Sequence, residues 1–411
     1  MNILVLNSGS SSQKCALDRI ADSIPDQPLT PLWQGTVEWS ERQPKLVLNA
    51  QGASFSTFIP MESRAQALER LLHALSYGEM KVISSLSEVA LVGHRFVHGG
   101  SEFRAATRIT ASVQESLRGL AVFAPLHNRA ELEAVEIIGR HLGEVPQIAV
   151  FDTAFHSQMP AASYVYPGPY DWLEHGIRRY GFHGINHQYC SERAAQVLDR
   201  NLCSLRIVTC HLGSGCSLAA IRDGHSVDTT MGFTPLEGLM MGTRSGSIDP
   251  GIVTYLMRQQ HSPEELDEIL NTKSGLLGIS GISGDMREIV SAMRKGHDRA
   301  RLAFEIFVHR LRREIGAMIS VLGGIDALVF TAGIGENSAE VRAASCEGLA
   351  YIGIKLDDQK NSPSAEDRDI SASDSAIRVL VVRAQEEWVI ARECWRAVGA
   401  HSIHRASAPT S

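Results

Sequence analysis

Short apolar runs bounded by turn residues open the chain: NILVLN (2–7), QKCALDRI (13–20), LWQGTVEW (32–39) and KLVLNA (45–50) read as consecutive strands. Apolar residues recurring every three to four positions over 63–77 (SRAQALERLLHALSY) predict a helix. A strand at 88–96 (EVALVGHRF), a helix near 127–142 and a strand at 147–153 (QIAVFDT) follow. The second half repeats the order, with a helix near 187–200 and strands at 206–212 (RIVTCHL), 216–224 (CSLAAIRDG) and 225–230 (HSVDTT). Several helices between 249 and 322 then lead to a strand in DALVFTAG (326–333). EEWVIARECWRAV (386–398) predicts a final helix with Trp388, Ile390, Ala391 and Trp395 on one face, and a frayed tail after it.

Strands alternating with helices in this way describe an α/β protein. LNSGSSSQKCAL (6–17) lines up with CHLGSGCSLAAI (210–221), placing Gly9 on Gly213 and Ser10 on Ser214. That self-similarity predicts one structural unit used twice, and 411 residues suffice for two domains with their own cores.

The duplicated stretches share a chemistry. A strand that ends in Gly and Ser and reverses into another strand turns backbone N–H groups and hydroxyls toward one point, a nest that binds anions; an ordinary hairpin turn is the alternative. Its recurrence, with a further strand-to-glycine turn at TAGIGENS (331–338), points to a polyphosphate. Neither GxxxxGK[ST] nor GxGxxG occurs, and GLLGISGISG (275–284) spaces its glycines by three, so the motifs indicate neither a P-loop nor a dinucleotide fold.

Composition narrows the partners. With 39 basic against 46 acidic residues and a formal charge of −7, nothing points to nucleic acid or to an anionic membrane. The longest apolar stretch, IGAMISVLGGI (315–325), falls short of the roughly 20 residues that span a bilayer. The N-terminus has no basic segment ahead of its apolar run, so the expected compartment is the cytoplasm. Seven cysteines without CxxC spacing read as reduced thiols.

The motifs LNSGSSS, HRFVHGG, FAPLHN, VFDTAFH, RRYGFHG, HLGSGCSL, TPLEGLMMGTRSG, IDPG, SGLLGISG, FTAGIGENS and EEWVIAR, in this order, resemble the acetokinase (acetate kinase) family of the acetate and sugar kinase, heat-shock and actin superfamily, from residue 2 to about 398. The resemblance implies two duplicated actin-like (ribonuclease H-like) lobes with a cleft between them, closing over substrate. One lobe would comprise 1–155 plus a returning helix at 386–400, the other, nucleotide-binding, 156–385, with 401–411 a disordered tail. It also implies a cytoplasmic homodimer that transfers the γ-phosphoryl group of ATP reversibly and in line to acetate, giving acetyl phosphate and ADP, with Mg2+ or alternatively Mn2+ as cofactor. A propionate or other short-chain carboxylate kinase is the alternative within the class, although Val97 is slightly large for it. An actin-like ATP-driven switch is the alternative outside it, and would leave Arg95, Arg244 and His183 without a task.

Both reactants are anions, and two unit charges about 4 Å apart repel by roughly 4 kcal/mol at an effective dielectric near 20. Cancelling that charge is the main task. By resemblance, Arg95 and Arg244 grip the carboxylate and the transferring phosphoryl group, a role worth about 10³ to 10⁵ in rate in other phosphoryl-transfer enzymes. His183 stabilises the phosphoryl oxygens. Its spacing to His187 also suits zinc, but the Glu of HExxH is missing. Asp152 matches the active-site aspartate; acetate has no proton to give at neutral pH, so a positioning role is expected. Asn7 and Glu386 match the metal positions, a sufficient set for magnesium, which keeps several waters.

The same resemblance assigns ATP to Lys14, Ser10 and Ser12, to the phosphate loop His211, Leu212, Gly213, Ser214 and Gly215, and to the adenosine loops Asp285, Met286, Arg287 and Gly333, Ile334, Gly335, Glu336, Asn337. It assigns the substrate methyl to Val97, Leu126, Phe182 and Pro235, where an added methylene would be discriminated against by about 1–3 kcal/mol. Four departures from the family pattern stand out. Ser214 replaces Asn, Ser247 replaces an Asp that could hold the Arg244 guanidinium in its fork geometry, Gly284 replaces Ser, and Gln13 and Cys15 replace apolar residues.

Overall fold

The structure, a computed structural model, describes residues 1–8, 12–39, 43–60, 63–120 and 125–406, the side chains of 125–127 and 400–406 excepted. The chain divides into two compact units, Met1–Ala154 with Gln385–Ser411, and Phe155–Ala384.

The first unit is built on strands β1 (Asn2–Ser8), β2 (Ser12–Arg19), β3 (Trp33–Glu38), β4 (Lys45–Ala50), β5 (Ala53–Phe58), β6 (Leu91–Phe96), β7 (Thr107–Arg108) and β8 (Gln147–Phe151). They form one sheet in the order β5-β4-β3-β2-β1-β6-β8-β7. Neighbours from β1 to β5 are antiparallel, while β1, β6 and β8 run parallel. On one face, helix Arg64–Ser76 buries Ala67, Leu68, Leu71, Leu72 and Leu75, the spacing of an amphipathic stripe. Its start is a capping box, in which Ser63 accepts from the Gln66 N–H while the Gln66 side chain accepts from the Ser63 N–H. This stripe packs with Leu4, Leu17, Trp33 and, from helix Pro125–Leu142, Ile137 and Ile138. Helix Glu386–Ala406 packs on β6 so closely that a Cβ on Gly93 would lie 2.6 Å from Cys394 Sγ and 2.8 Å from Ile390 Cγ2.

The second unit repeats the plan with β9 (Arg206–Leu212), β10 (Cys216–Arg222), β11 (His225–Thr229), β12 (Ala327–Thr331), β13 (Arg368–Asp369) and β14 (Arg378–Val381). Its order is β11-β10-β9-β12-β14-β13, with β9, β12 and β14 parallel. The sheets therefore share the succession of an antiparallel three-stranded meander and two parallel strands, the duplicated actin-like arrangement that the sequence led us to expect. Helix Asp298–Leu322 buries a stripe from Ala300 to Leu322 and ends at Gly323, whose φ of 67° takes the chain out of the helix.

Three local expectations need correction. The ungapped alignment of 6–17 on 210–221 holds only to the end of the first strand. Ser8 pairs with Gln13 but Leu212 pairs with Cys216, so the first hairpin is one residue longer and the counterpart of Gln13 is Cys216 rather than Ser217. The strand-to-glycine turn expected at TAGIGENS is the start of a helix: β12 passes directly into helix Ala332–Asn337. The final helix continues beyond 398, and its buried stripe takes in Val389 and Cys394 while Trp395 is only half-buried.

Candidate functional site

In the first unit, strand ends gather charge. Arg95, near the end of β6, donates from Nε to Asp152 Oδ1 (3.0 Å) and from Nη2 to Oδ2 (2.6 Å), a two-point fork just beyond the end of β8. Its Nη1 donates to Asn7 Oδ1 at 3.0 Å. Asn7, at the end of β1, donates through Nδ2 to Glu386 Oε2 (3.1 Å) and Glu387 Oε1 (3.0 Å), at the start of the last helix. Asp152 is 1% exposed and Arg95 11%. Burial lowers the affinity of Arg95 for its proton, but the carboxylates of Asp152 and Glu386 outweigh it and hold the guanidinium above its ordinary range. Behind the pair, buried Glu131 accepts from the Val97 N–H at 3.1 and 3.3 Å, and burial, opposed by Arg95, pushes its carboxyl up to about 8.

The sequence's metal pair, Asn7 and Glu386, is thus in contact. The carboxylates of Glu386 and Glu387 are hard oxygen donors that fit magnesium, and Asn7 joins them through its Nδ2 while its Oδ1 accepts from Arg95. Glu387, which sequence reasoning missed although it adjoins Glu386 in EEWV, completes the group. Lys14 is half exposed with Nζ 3.8 Å from Glu387 Oε1. Val97 is 6% exposed. Ser12 is half-buried at the start of β2. Ser10 and the side chain of Leu126 lie outside the described residues.

In the second unit, GFHG makes a tight corner. Gly181 has φ +78°, and a Cβ there would meet Thr229 Cγ2 at 2.6 Å and His156 Cδ2 at 2.7 Å. His183 follows in the left-handed region (φ 57°), an uncommon conformation for a residue with a Cβ, and caps helix Gly184–Val197. Phe182 is 1% exposed and belongs to the core, whereas Pro235 is half-buried. Arg244 donates to the Pro235 carbonyl at 3.3 Å. A Cβ built on Gly215 would lie 3.3 Å from Arg244 Nη1 and 3.5 Å from His183 Nε2, so both side chains converge on the HLGSG turn.

That turn is tied internally by Gly213 N–H donating to the Gly215 carbonyl (3.0 Å) and externally by Gly242 N–H donating to the Ser214 carbonyl (3.0 Å). It forms one wall of a cavity of about 770 Å³, a size suited to a nucleotide. Of the residues assigned to ATP, Gly213, Ser214, Asp285, Met286, Arg287, Gly333, Ile334 and Asn337 line it. Asp285 caps helix Met286–Arg294, and its pairing with Arg287 holds its carboxyl below the ordinary range. His211, Leu212, Gly215, Gly335 and Glu336 do not line the cavity. Glu336 points inward, accepting from the Ala384 N–H at 2.9 Å. Sequence reasoning missed Gly242, Thr243, Gly284, Val290, Ser338 and Glu340. Signals were there to find: Gly242 and Thr243 lie in TPLEGLMMGTRSG, Ser338 in TAGIGENS, and Val290 one helical turn after Met286.

Ser247 does not approach Arg244 through any hydrogen bond. Its Oγ accepts from the Gly238 N–H (3.0 Å), its own N–H donates to the Gly238 carbonyl (2.9 Å), and its carbonyl accepts from Arg310 (2.7 Å). Position 247 therefore asks for an acceptor rather than for a guanidinium partner. No cluster of three or more His, Cys, Asp or Glu able to hold a metal occurs among the described residues, and His183 and His187 of HGINH both meet Ser217 Oγ instead.

Curated relatives and solved structures bear on this arrangement. The chain is 55% identical over 406 residues to an acetate kinase of Cyanothece sp. (strain PCC 7425 / ATCC 29141), covering 98% of this chain and 100% of the relative. It is 55% identical over 401 residues to an acetate kinase of Gloeobacter violaceus, covering 96% and 99%. Among solved structures, the Porphyromonas gingivalis acetate kinase matches with a TM-score of 0.87 at 39% identity, covering 97% and 99%. A propionate kinase from Francisella tularensis matches with 0.87 at 39%, covering 96% and 99%. The acetokinase family model matches residues 2–392, and with that match spanning both sheets, the hairpins and the start of the last helix, the chain belongs to the acetokinase family.

Proposed function

We propose that this chain transfers the γ-phosphoryl group of ATP reversibly to acetate, giving acetyl phosphate and ADP. A carboxylate oxygen forms the new P–O bond in line as the bond to the β-phosphate oxygen breaks, and ADP leaves with the electron pair. The reading rests above all on the convergence of His183 Nε2 and Arg244 Nη1 on Gly215, in the turn whose Gly213 and Ser214 line a nucleotide-sized cavity. Gly213, Ser214, Asp285–Arg287, Gly333, Ile334 and Asn337 hold the nucleotide. Arg244 and His183 meet the charge that develops on the phosphoryl oxygens. Arg95, fixed by Asp152 and Asn7, receives the carboxylate. Asp152 positions Arg95 through both of its oxygens, and acetate, already ionised at neutral pH, offers a base no proton to remove. Asn7 and Glu386, with Glu387, would hold Mg2+, whose positive charge would offset the negative charge of the phosphates.

Two further features belong to the reading. The homodimer is supported by helix Pro250–Arg258, which buries none of its residues and exposes Ile252, Tyr255 and Met257. A cytoplasmic location agrees with cysteines that are all free among the described residues. Among the described residues, no helix is long and apolar enough to cross a membrane.

A propionate kinase is the second reading, favoured by the Francisella neighbour. Hydroxylamine trapping of acyl phosphate with acetate, propionate and butyrate in parallel decides between them. The proposal expects acetate to give the highest kcat/KM and ATP consumption to depend on carboxylate. ATP hydrolysis indifferent to carboxylate would overturn it in favour of a nucleotide switch.

A further inference from the structure

Four imidazoles crowd the second unit, and their hydrogen bonds have a direction. Ser217 Oγ lies 2.8 Å from His183 Nδ1 and 2.8 Å from His187 Nε2, and His187 Nδ1 lies 2.7 Å from Thr209 Oγ1. Thr209, His187 and Ser217 are fully buried. Among the described residues, the Thr209 hydroxyl meets no acceptor other than His187 Nδ1. Were His187 to donate there instead, a buried hydroxyl hydrogen would be left unpaired, which is costly. Thr209 therefore donates to Nδ1.

Burial, with His156 and His211 nearby, holds His187 well below the ordinary histidine range, so its single hydrogen is on Nε2 and donates to Ser217. The one hydroxyl hydrogen of Ser217 then has a single destination, His183 Nδ1. The same logic orders the neighbours. His156 Nε2 donates to the Phe182 carbonyl (3.1 Å), bracing the corner before His183. Asn186 Nδ2 donates to His211 Nδ1 (2.8 Å). His211 stacks on His183 with centroids 4.0 Å apart and planes 11° from parallel, an arrangement that two cationic rings would resist.

We propose that Thr209, His187 and Ser217 are positioning residues that hold His183 as an uncharged imidazole with its hydrogen on Nε2, so that it presents an N–H donor, not a cation, to the phosphoryl group. The assignment deepens the kinase reading and rests on it for the identity of the group that receives the N–H. The groups that face His183 are the stacked His211, His187 behind Ser217, and Arg244 across Gly215. The positive charge at this turn then comes from Arg244, and the hydrogen bond from His183 is available without a proton being taken up.

The test uses the full chain labelled with 15N-histidine, with His183 identified by the signals lost in His183→Gln. In the parent protein at neutral pH, Nε2 should show the shift of a protonated nitrogen and Nδ1 that of a bare one. Ser217→Ala should abolish this bias and make the kcat profile depend on the titration of His183. It should lower kcat by about a hundredfold, the scale of a lost transition-state donor, with the KM for ATP and acetate little changed. Ser217→Thr, which restores the hydroxyl, should recover the tautomer and most of the rate. Thr209→Val, isosteric and remote from the turn, should weaken the same bias and serves if Ser217→Ala does not fold. Hydrogen on Nδ1, or on both nitrogens, in the parent protein overturns the proposal, as does an unchanged His183 spectrum in Thr209→Val. Nitrogen shifts need no turnover, so a chain that forms no acyl phosphate would sink the kinase reading while the tautomer is still judged on its own.

Discussion

Replacing Asp152 by Asn probes the charge cluster of the first unit with the smallest change in shape. The new Oδ1 can still accept from Arg95 Nε at 3.0 Å. The amide nitrogen, however, sets N–H against N–H where Nη2 and Oδ2 now sit 2.6 Å apart. The guanidinium must move, and it loses the carboxylate that contributes most to its charged state. Breaking one side of a buried pair costs about 3–5 kcal/mol. Asp152 is 1% exposed, but Arg95 is 11% exposed and keeps Glu386 nearby, which places the loss at the lower end, about 3 kcal/mol. For a unit of this size that is about 6–12 °C in Tm. Displacement of Arg95 by about 1 Å should lower kcat/KM for acetate by about a hundredfold. Differential scanning fluorimetry and hydroxamate trapping on the same preparation read both. A variant melting within about 2 °C of the parent with nearly unchanged turnover would show that the fork carries neither stability nor positioning.

Burial raises the Glu131 carboxyl to about 8, above its unfolded value, so its contribution to stability is full below about pH 4 and is lost as pH rises through about 8. The loss is on the order of 5 kcal/mol, and Glu131→Gln should flatten the stability profile between about pH 5 and 8 in denaturant titrations; a slope equal to the parent's would mean that the carboxyl is ionised throughout. Arg244→Ala should lower turnover at least about a hundredfold with an unaltered circular dichroism spectrum, and near-normal turnover would remove it from the mechanism. Because position 247 serves as an acceptor for the Gly238 N–H, Ser247→Asp should keep turnover within about threefold of the parent; a large gain would restore the idea that a carboxylate there steadies Arg244.

The α/β order, the duplication and the tight HLGSG turn were legible because they rest on local signals: apolar runs of strand length and Gly/Ser at their ends. What escaped had no such signal. β5 (ASFSTF) is exposed at every position, so no alternation marks it, and β14 (RVLV) offers only a four-residue apolar run. Helix Ala111–Leu120 buries Leu117 alone. Glu131, Glu387 and Ser217 take their meaning from partners brought by other elements, and nothing within a few residues of them announces those partners.

The two hairpins show why the duplication is plainer in the backbone than in the chemistry. In each, the first strand ends in a buried polar residue, Asn7 or His211, paired in register with Lys14 or Ser217. A buried polar group must have every donor and acceptor met, so each position commits its neighbours. Asn7 accepts from a guanidinium and gives two N–H bonds to carboxylates, which needs a carboxamide and recruits charge. His211 accepts from Asn186 and stacks on a second ring, which recruits uncharged donors. A histidine at position 7 would have one donor for two carboxylates and no oxygen for Arg95, so the first cluster would fail at several points together. From equal scaffolds, one hairpin gathers the ions while the other orients neutral N–H groups, and exchange of a single residue between them is barred by the partners that each has already committed.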